Sequence, residues 1–186
     1  MKNTEVNKLL LKYLNEALED RFLETEKTNY LVIYEVKNNQ KHFLDYEKAY
    51  YDPKEYMKIL EPAERKKYLK AVETQSKSKY ANIMYSPNER AVEKSIDEII
   101  WIICCMLFKN DSLELKVIKY YIAINDINLE VFASEIGTTL ENVWEMLNGD
   151  ITIPEEKYKV ISESLGFDML EYFKEESDFI FDETDL

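Results

Sequence analysis

Glycine and proline are scarce in this chain, three and four in 186 residues. Few turns therefore require a positive φ, and runs rich in Leu, Glu, Lys and Ile favour a mostly helical protein. Cysteine is scarcer still: Cys104 and Cys105 are adjacent in an apolar run, so they staple no distant segments, and without further Cys or His nearby they are not zinc ligands. That usage fits a reduced, cytoplasmic setting. Long hydrophobic runs are missing as well. The longest, Ile99 to Phe108, is ten residues, too short to span a bilayer. The first 22 residues are interrupted by charges every few positions and lack a small-residue cleavage site, so no signal peptide is expected.

Catalytic patterns are equally thin. No Ser-His-Asp order, phosphate-cradling Gly loop, nucleotide fingerprint or metal-ligand spacing occurs, so neither an enzyme nor a cofactor or metal protein is expected. His42 is the one histidine, and Asp45 is its nearest carboxylate in sequence. A strand places positions i and i+3 on opposite faces, so the pair reads as an exposed hairpin histidine rather than a general base.

What is present is a core and an uneven charge. With 46% hydrophobic and 13% aromatic residues the chain has enough apolar surface to fold, which excludes disorder throughout. The net charge of −13 is concentrated: residues 126–186 hold 17 acidic and 3 basic side chains, whereas residues 1–125 are nearly balanced at 20 and 21. An acidic carboxy-terminal part is repelled by nucleic acid and anionic membrane, and is drawn to basic protein surfaces.

Along the chain, Val6, Leu9, Leu10, Tyr13, Leu14, Ala17, Leu18 and Phe22 recur at helical spacing over residues 4–25, with Thr4 available as N-cap. Residues 29–36 (NYLVIYEV) and the run HFLDY are extended in character and predict one β-hairpin closed at Asn38 and Asn39. Pro53 and Pro62 predict helices over 53–60 and 62 to about 75, and TQSKSKY reads as a linker. Ser86 and Pro87 predict the start of a helix continuing to about Lys109. Its second half is apolar all round and must be buried, in the fold or in a homodimer interface over Ile99 to Phe108. Helices then follow at about 112–125, 129–136, 139–147, 154–165 and 168–176, and the final segment, with its Phe179-Ile180-Phe181 core, reads as a frayed acidic tail or a docking motif.

The resulting expectation is a mainly α protein. A helical region with one small β-hairpin occupies residues 1–110, a five-helix domain residues 111–176, and an acidic tail residues 177–186.

Within the second part, Leu129 to Gly149 read LEVFASEIGTTLENVWEMLNG, with Phe132, Ala133, Ile136, Gly137, Val143 and Met146 at the spacing of two short helices joined by a glycine turn. Downstream come Pro154, Val160, Ile161, Leu165, Gly166, Leu170 and Phe173. Residues 116–173 thereby resemble the helix-turn-helix domain of the Cro and lambda-repressor type. The resemblance implies that Phe132 and Ile136 face the core, that Ala133 lets the two helices cross closely, that Gly137 takes the left-handed turn position, that Val143 and Met146 point inward, and that Thr139, Leu140, Glu141, Trp144, Glu145 and Asn148 face bases or phosphates where that family reads the major groove.

The residues at those positions do not suit DNA. No Lys or Arg occurs between Asp126 and Pro154, whereas phosphates need cations and base edges need donors. Thr138 also replaces the usual apolar residue after the turn. Leu140 and Trp144 are one helical turn apart, flanked by Glu141 and Glu145, and form either a protein-binding ridge or a contact with the rest of the same chain. We therefore expect a cytoplasmic regulator or inhibitor acting through a protein partner. Helix-turn-helix proteins of phage and mobile elements, including antirepressors and inhibitors of host defence nucleases such as anti-CRISPR proteins, supply the analogy. The alternative is a dimeric DNA-binding transcriptional regulator. In it Lys116, Lys119, Lys157 and Lys159 contact phosphates and Thr139, Asn142 and Asn148 read bases, while Arg65, Lys66, Lys67 and Lys70, with tyrosines interleaved, form a second nucleic-acid candidate.

Overall fold

In a computed structural model of the chain, the described residues are 2–23, 29–49, 58, 61–66, 89–166 and 179–181. Secondary structure begins with helix α1 (Lys2–Phe22), two residues ahead of Thr4. Its buried stripe, Val6, Leu10, Leu14 and Ala17, keeps the four-four-three spacing of one helix face.

Strands β1 (Asn29–Lys37) and β2 (Gln40–Ala49) form the expected antiparallel hairpin. Asn38 and Asn39 close it with φ of 51° and 63°, the left-handed pair that a two-residue hairpin loop demands and that asparagine tolerates better than other side chains. A bulge between Ile33 and Tyr34 leaves Leu44 as the extra residue, since Ile33 pairs with Asp45 and Tyr34 with Phe43. Tyr30, Leu31, Val32 and Ile33 are all buried, so β1 is covered on both faces and must be an interior strand.

The expectation of a mainly α protein with one small β-hairpin is overturned by what flanks that hairpin. Strand β3 (Glu89–Lys94) pairs antiparallel with β1, and strand β4 (Phe179–Ile180) pairs parallel with β2, giving a four-stranded mixed sheet in the order β3-β1-β2-β4 and an α/β fold. The reading of residues 89–94 as the first turns of a long helix is corrected with it. Glu, Arg, Ala and Lys favour helix intrinsically, but the backbone donors and acceptors on the second edge of a buried β1 need partners, and that demand outweighs a few tenths of a kcal/mol per residue of propensity. Phe179 and Ile180, read as part of a frayed tail or a docking motif, lie in the sheet.

The helix after β3 starts at its own cap. In α2 (Ile96–Leu107) the Ser95 hydroxyl accepts from the Glu98 amide at 3.2 Å while Glu98 Oε2 accepts from the Ser95 amide at 2.6 Å, a reciprocal capping box. From Ile99 to Met106 every side chain is buried within this one chain. A second copy is not needed to cover the apolar run. Trp101 stands edge-on to Tyr120 at 5.5 Å, and burial, with the neighbouring Cys105 adding to it, pushes the Cys104 thiol well above its ordinary value. A thiol held that way is an apolar filler, not a nucleophile.

The chain divides into two compact units, Met1–Glu19 with Ile100–Asp178, and Asp20–Ile99 with Phe179–Leu186. In the second unit Asp20, near the end of α1, meets Lys48 of β2 at 2.5 Å, and Arg21 meets Asp97 in the first turn of α2 at 2.6 Å. Residues 62–66 are helical, which covers the start of the helix expected from Pro62. The expected helices at 53–60, apart from helical Lys58, and at 168–176, the TQSKSKY linker and the Ser86-Pro87 start fall outside the described residues. Among the described residues no helix is long and apolar enough to cross a membrane.

Candidate functional site

The first unit carries four short helices whose ends are fixed by side-chain caps and left-handed residues. Helix α3 (Leu113–Ile124) is capped by Ser112 Oγ, which accepts from Leu115 N at 3.3 Å. Asp126, at φ 48°, follows its end. Helix α4 (Leu129–Glu135) starts at Asn128, whose Oδ1 accepts from the amides of Glu130 and Val131. Helix α5 (Leu140–Asn148) starts at Thr139 and ends at left-handed Gly149, and α6 (Glu155–Leu165) follows Pro154 and ends at left-handed Gly166.

Helix α4 packs on α5 and α6, and α3 on α6. The seam holds Phe132, Ala133, Ile136, Val143, Met146, Ile153, Ile161 and Leu165, all buried. These include each inward position read from the sequence between Phe132 and Met146. Downstream, Ile161 and Leu165 are buried but Val160 is exposed. The turn between α4 and α5 depends on Gly137, at φ +64°, where a Cβ would be strained. Its carbonyl and that of Ile136 accept from Lys157 Nζ at 3.2 and 2.6 Å. Lys157 thus neutralises the partial negative charge at the end of α4 and locks the turn from α6.

With Val143 and Met146 turned inward, 3.6-residue periodicity sends Leu140, Glu141, Trp144, Glu145 and Asn148 to the opposite side of α5. Trp144 is 51% exposed. The indole is therefore half open to solvent on the face of α5 opposite Val143 and Met146. Glu141 is exposed and Glu145 and Leu140 are half-buried, so the face is an apolar ridge between carboxylates. Val131 on α4, Ile151 beyond α5 and Val160 on α6 are also exposed apolar side chains. Sequence reasoning passed over Val131 because it sits beside core-facing Phe132, and only the helix phase separates the two.

The groups nominated for nucleic acid are spread and mostly engaged. Thr139 Oγ1 accepts from Asn142 N at 3.2 Å, and the Asn142 side-chain amide donates to Thr138 Oγ1 at 3.1 Å, so both are used in capping. Thr138, a departure from the resemblance, finds its role there. Lys119 pairs with Asp111 at 2.6 Å and lies over the Phe108 ring at 4.3 Å. Lys157 is committed to the turn, and exposed Lys159 faces Glu163 at 3.8 Å. Lys116 is half-buried and Asn148 exposed. Arg65 and Lys66 are exposed in the other unit, where Arg65 donates to the Lys58 carbonyl at 3.5 Å. Lys67 and Lys70 lie outside the described residues.

His42 is corrected from an exposed hairpin residue to a buried one, 8% exposed. Strand β2 is interior at that point, with Glu35 of β1 opposite on one side and Ile180 of β4 on the other. Among the described residues no group of three or more His, Cys, Asp or Glu side chains is placed to hold a metal ion.

Compared with protein-family models, curated proteins and solved structures, the chain finds no match.

Proposed function

We propose that this protein is a non-enzymatic cytoplasmic regulator or inhibitor that binds a protein partner through the exposed face of α5, on a helix-turn-helix scaffold no longer suited to DNA. The observation that carries this reading is the half-exposed Trp144 set between Glu141 and Glu145 on a stretch with no cation from Asp126 to Pro154. An indole left in water is an unspent apolar surface, and aromatic side chains ringed by polar groups are the usual anchors of protein interfaces. Carboxylates on either side repel phosphate and select a basic partner surface. A nuclease's DNA channel has that chemistry, which matches the phage-borne inhibitors of the helix-turn-helix analogy.

Charge reversal tests the electrostatic half of this. The chain is used to capture its partner from a lysate of the native host, with the captured protein identified by mass spectrometry, and the same protein is then titrated against the double variant Glu141→Lys, Glu145→Lys. We expect a loss of affinity of about tenfold or more, with a weaker salt dependence than the parent shows. Unchanged binding by a folded double variant would remove the acidic rim from the interface and refute the choice of partner surface.

A further inference from the structure

Helix α6 braces the turn between α4 and α5 from behind. Lys157, Ile161 and Ser164 stand four and three residues apart and so share one stripe of that helix. Ile161 is buried in the seam, and the two polar residues are bonded to the end of α4: Ser164 Oγ donates to Glu135 Oε2, and Lys157 Nζ donates to the carbonyls of Ile136 and Gly137 at 2.6 and 3.2 Å. Those two carbonyls belong to the peptide units on either side of the Gly137 Cα. One ammonium that holds both therefore constrains the φ and ψ of the glycine together, at the most freely rotating point between the two helices. From the turn the chain passes straight into α5, where Thr139 is the cap and the Asn142 side chain donates to Thr138 Oγ1 at 3.1 Å. Helix α5 has nine residues, short of the roughly 12 that a helix needs to hold itself in water. Its direction is set by the turn it leaves and the core it packs on.

We propose that Lys157 is a positioning residue for the α5 face: acting through the turn rather than through contact with the partner, its ammonium holds Leu140, Glu141 and Trp144 in the pose that binds. This rests on the reading of α5 as the interface. A face fixed before binding loses less conformational freedom when a partner arrives, and if the turn swings, only the fraction of molecules in the competent pose can bind, so the apparent affinity falls by that fraction. Charge contributes as well as reach. The ammonium has three donors for two carbonyls at a helix end that carries partial negative charge, and an apolar side chain of similar length supplies neither the donors nor the charge. A lysine whose place in the sequence suggested a phosphate contact thus has its donors turned inward, on the backbone that aims α5.

The test uses the full chain carrying Lys157→Met or Lys157→Arg, with hydrogen exchange followed by mass spectrometry. Amides of residues 138–148 are expected to exchange about tenfold faster in Lys157→Met than in the parent, while those of α3 keep the parent rate. Lys157→Arg, whose guanidinium fork can also donate to two carbonyls, should restore the parent pattern. The protein captured from the host lysate by the parent chain should bind Lys157→Met about tenfold or more weakly, with the same rescue by arginine. Parent-like exchange over residues 138–148 in a folded Lys157→Met chain, exchange raised equally in α3, or a loss that arginine does not restore would each overturn the proposal. Trp144→Ala separates it from the reading it rests on. If Trp144→Ala weakens partner binding and Lys157→Met does not, the positioning role is wrong and the interface stands; if neither weakens binding, the interface reading falls and the positioning role falls with it. Should Lys157→Met fail to fold, Lys157→Gln, which keeps an uncharged donor, takes its place with the same outcomes.

Discussion

Replacing Trp144 with alanine should weaken partner binding by at least about 30-fold, the loss of roughly 2 kcal/mol that marks an interface anchor, while global stability moves by no more than about 0.5 kcal/mol. The two halves of this expectation come from one fact, the 51% exposure of the side chain. An indole already half in water adds little to folding when it is removed, because its neighbours on the inward side of α5, Val143 and Met146, hold the helix by themselves. On binding, the same exposed area is what a partner desolvates. Titration calorimetry with the captured partner measures the first quantity and urea unfolding the second. If the unfolding midpoint falls steeply, Trp144 is a core residue of the folded chain; if affinity is unchanged, it is no anchor.

Trp101→Ala should have the opposite profile. That side chain is fully buried beside Tyr120, within an unbroken run of buried residues from Ile99 to Met106. Deleting it removes the transfer energy of an aromatic ring and leaves a cavity, at a cost of about 3–5 kcal/mol. Against a typical domain stability of about 5–15 kcal/mol this is a large fraction, so the urea midpoint should drop severely while the slope of the transition stays near the parent's. A cost below about 1 kcal/mol would mean that the chain does not bury this helix by itself, and would return Ile99 to Phe108 to the role of a dimer seam.

The contrast between the chain's two tryptophans shows where the sequence was informative. The helix-turn-helix resemblance put Val143 and Met146 inward, and Asn38-Asn39 was enough to close the hairpin, because both signals are local: one short motif and a pair of left-handed residues. Residues 89–94 misled for the opposite reason. Their strand form is imposed by β1, which lies 52 or more residues earlier and needs a partner on its second edge. A local signal was nonetheless present in Ser95-Ile96-Asp97-Glu98, whose Ser-x-x-Glu spacing marks the start of α2 and so excludes a helix running through it from Pro87.

In the candidate site, residue types and spacing made the acidic ridge legible, but not its exposure. Whether Trp144 met solvent or its own chain depended on tertiary packing that periodicity does not encode. The same limit hid the pairing of Phe179 and Ile180 with β2. Nothing local links Lys41 to Phe179, and a two-residue parallel strand leaves no periodic signature. It also hid the roles of Lys119 and Lys157, which read as free cations in the sequence but serve an ion pair with Asp111 and the turn after α4.

The central claim is that the α5 face meets protein and not nucleic acid, and a salt-dependent anisotropy titration with labelled duplex DNA tests it most directly. With no Lys or Arg from Asp126 to Pro154 to release counterions, no saturable binding is expected even at about 50 mM salt. Tight binding that weakened by about a thousandfold or more between roughly 50 and 200 mM salt, as six to ten phosphate contacts produce, would contradict it.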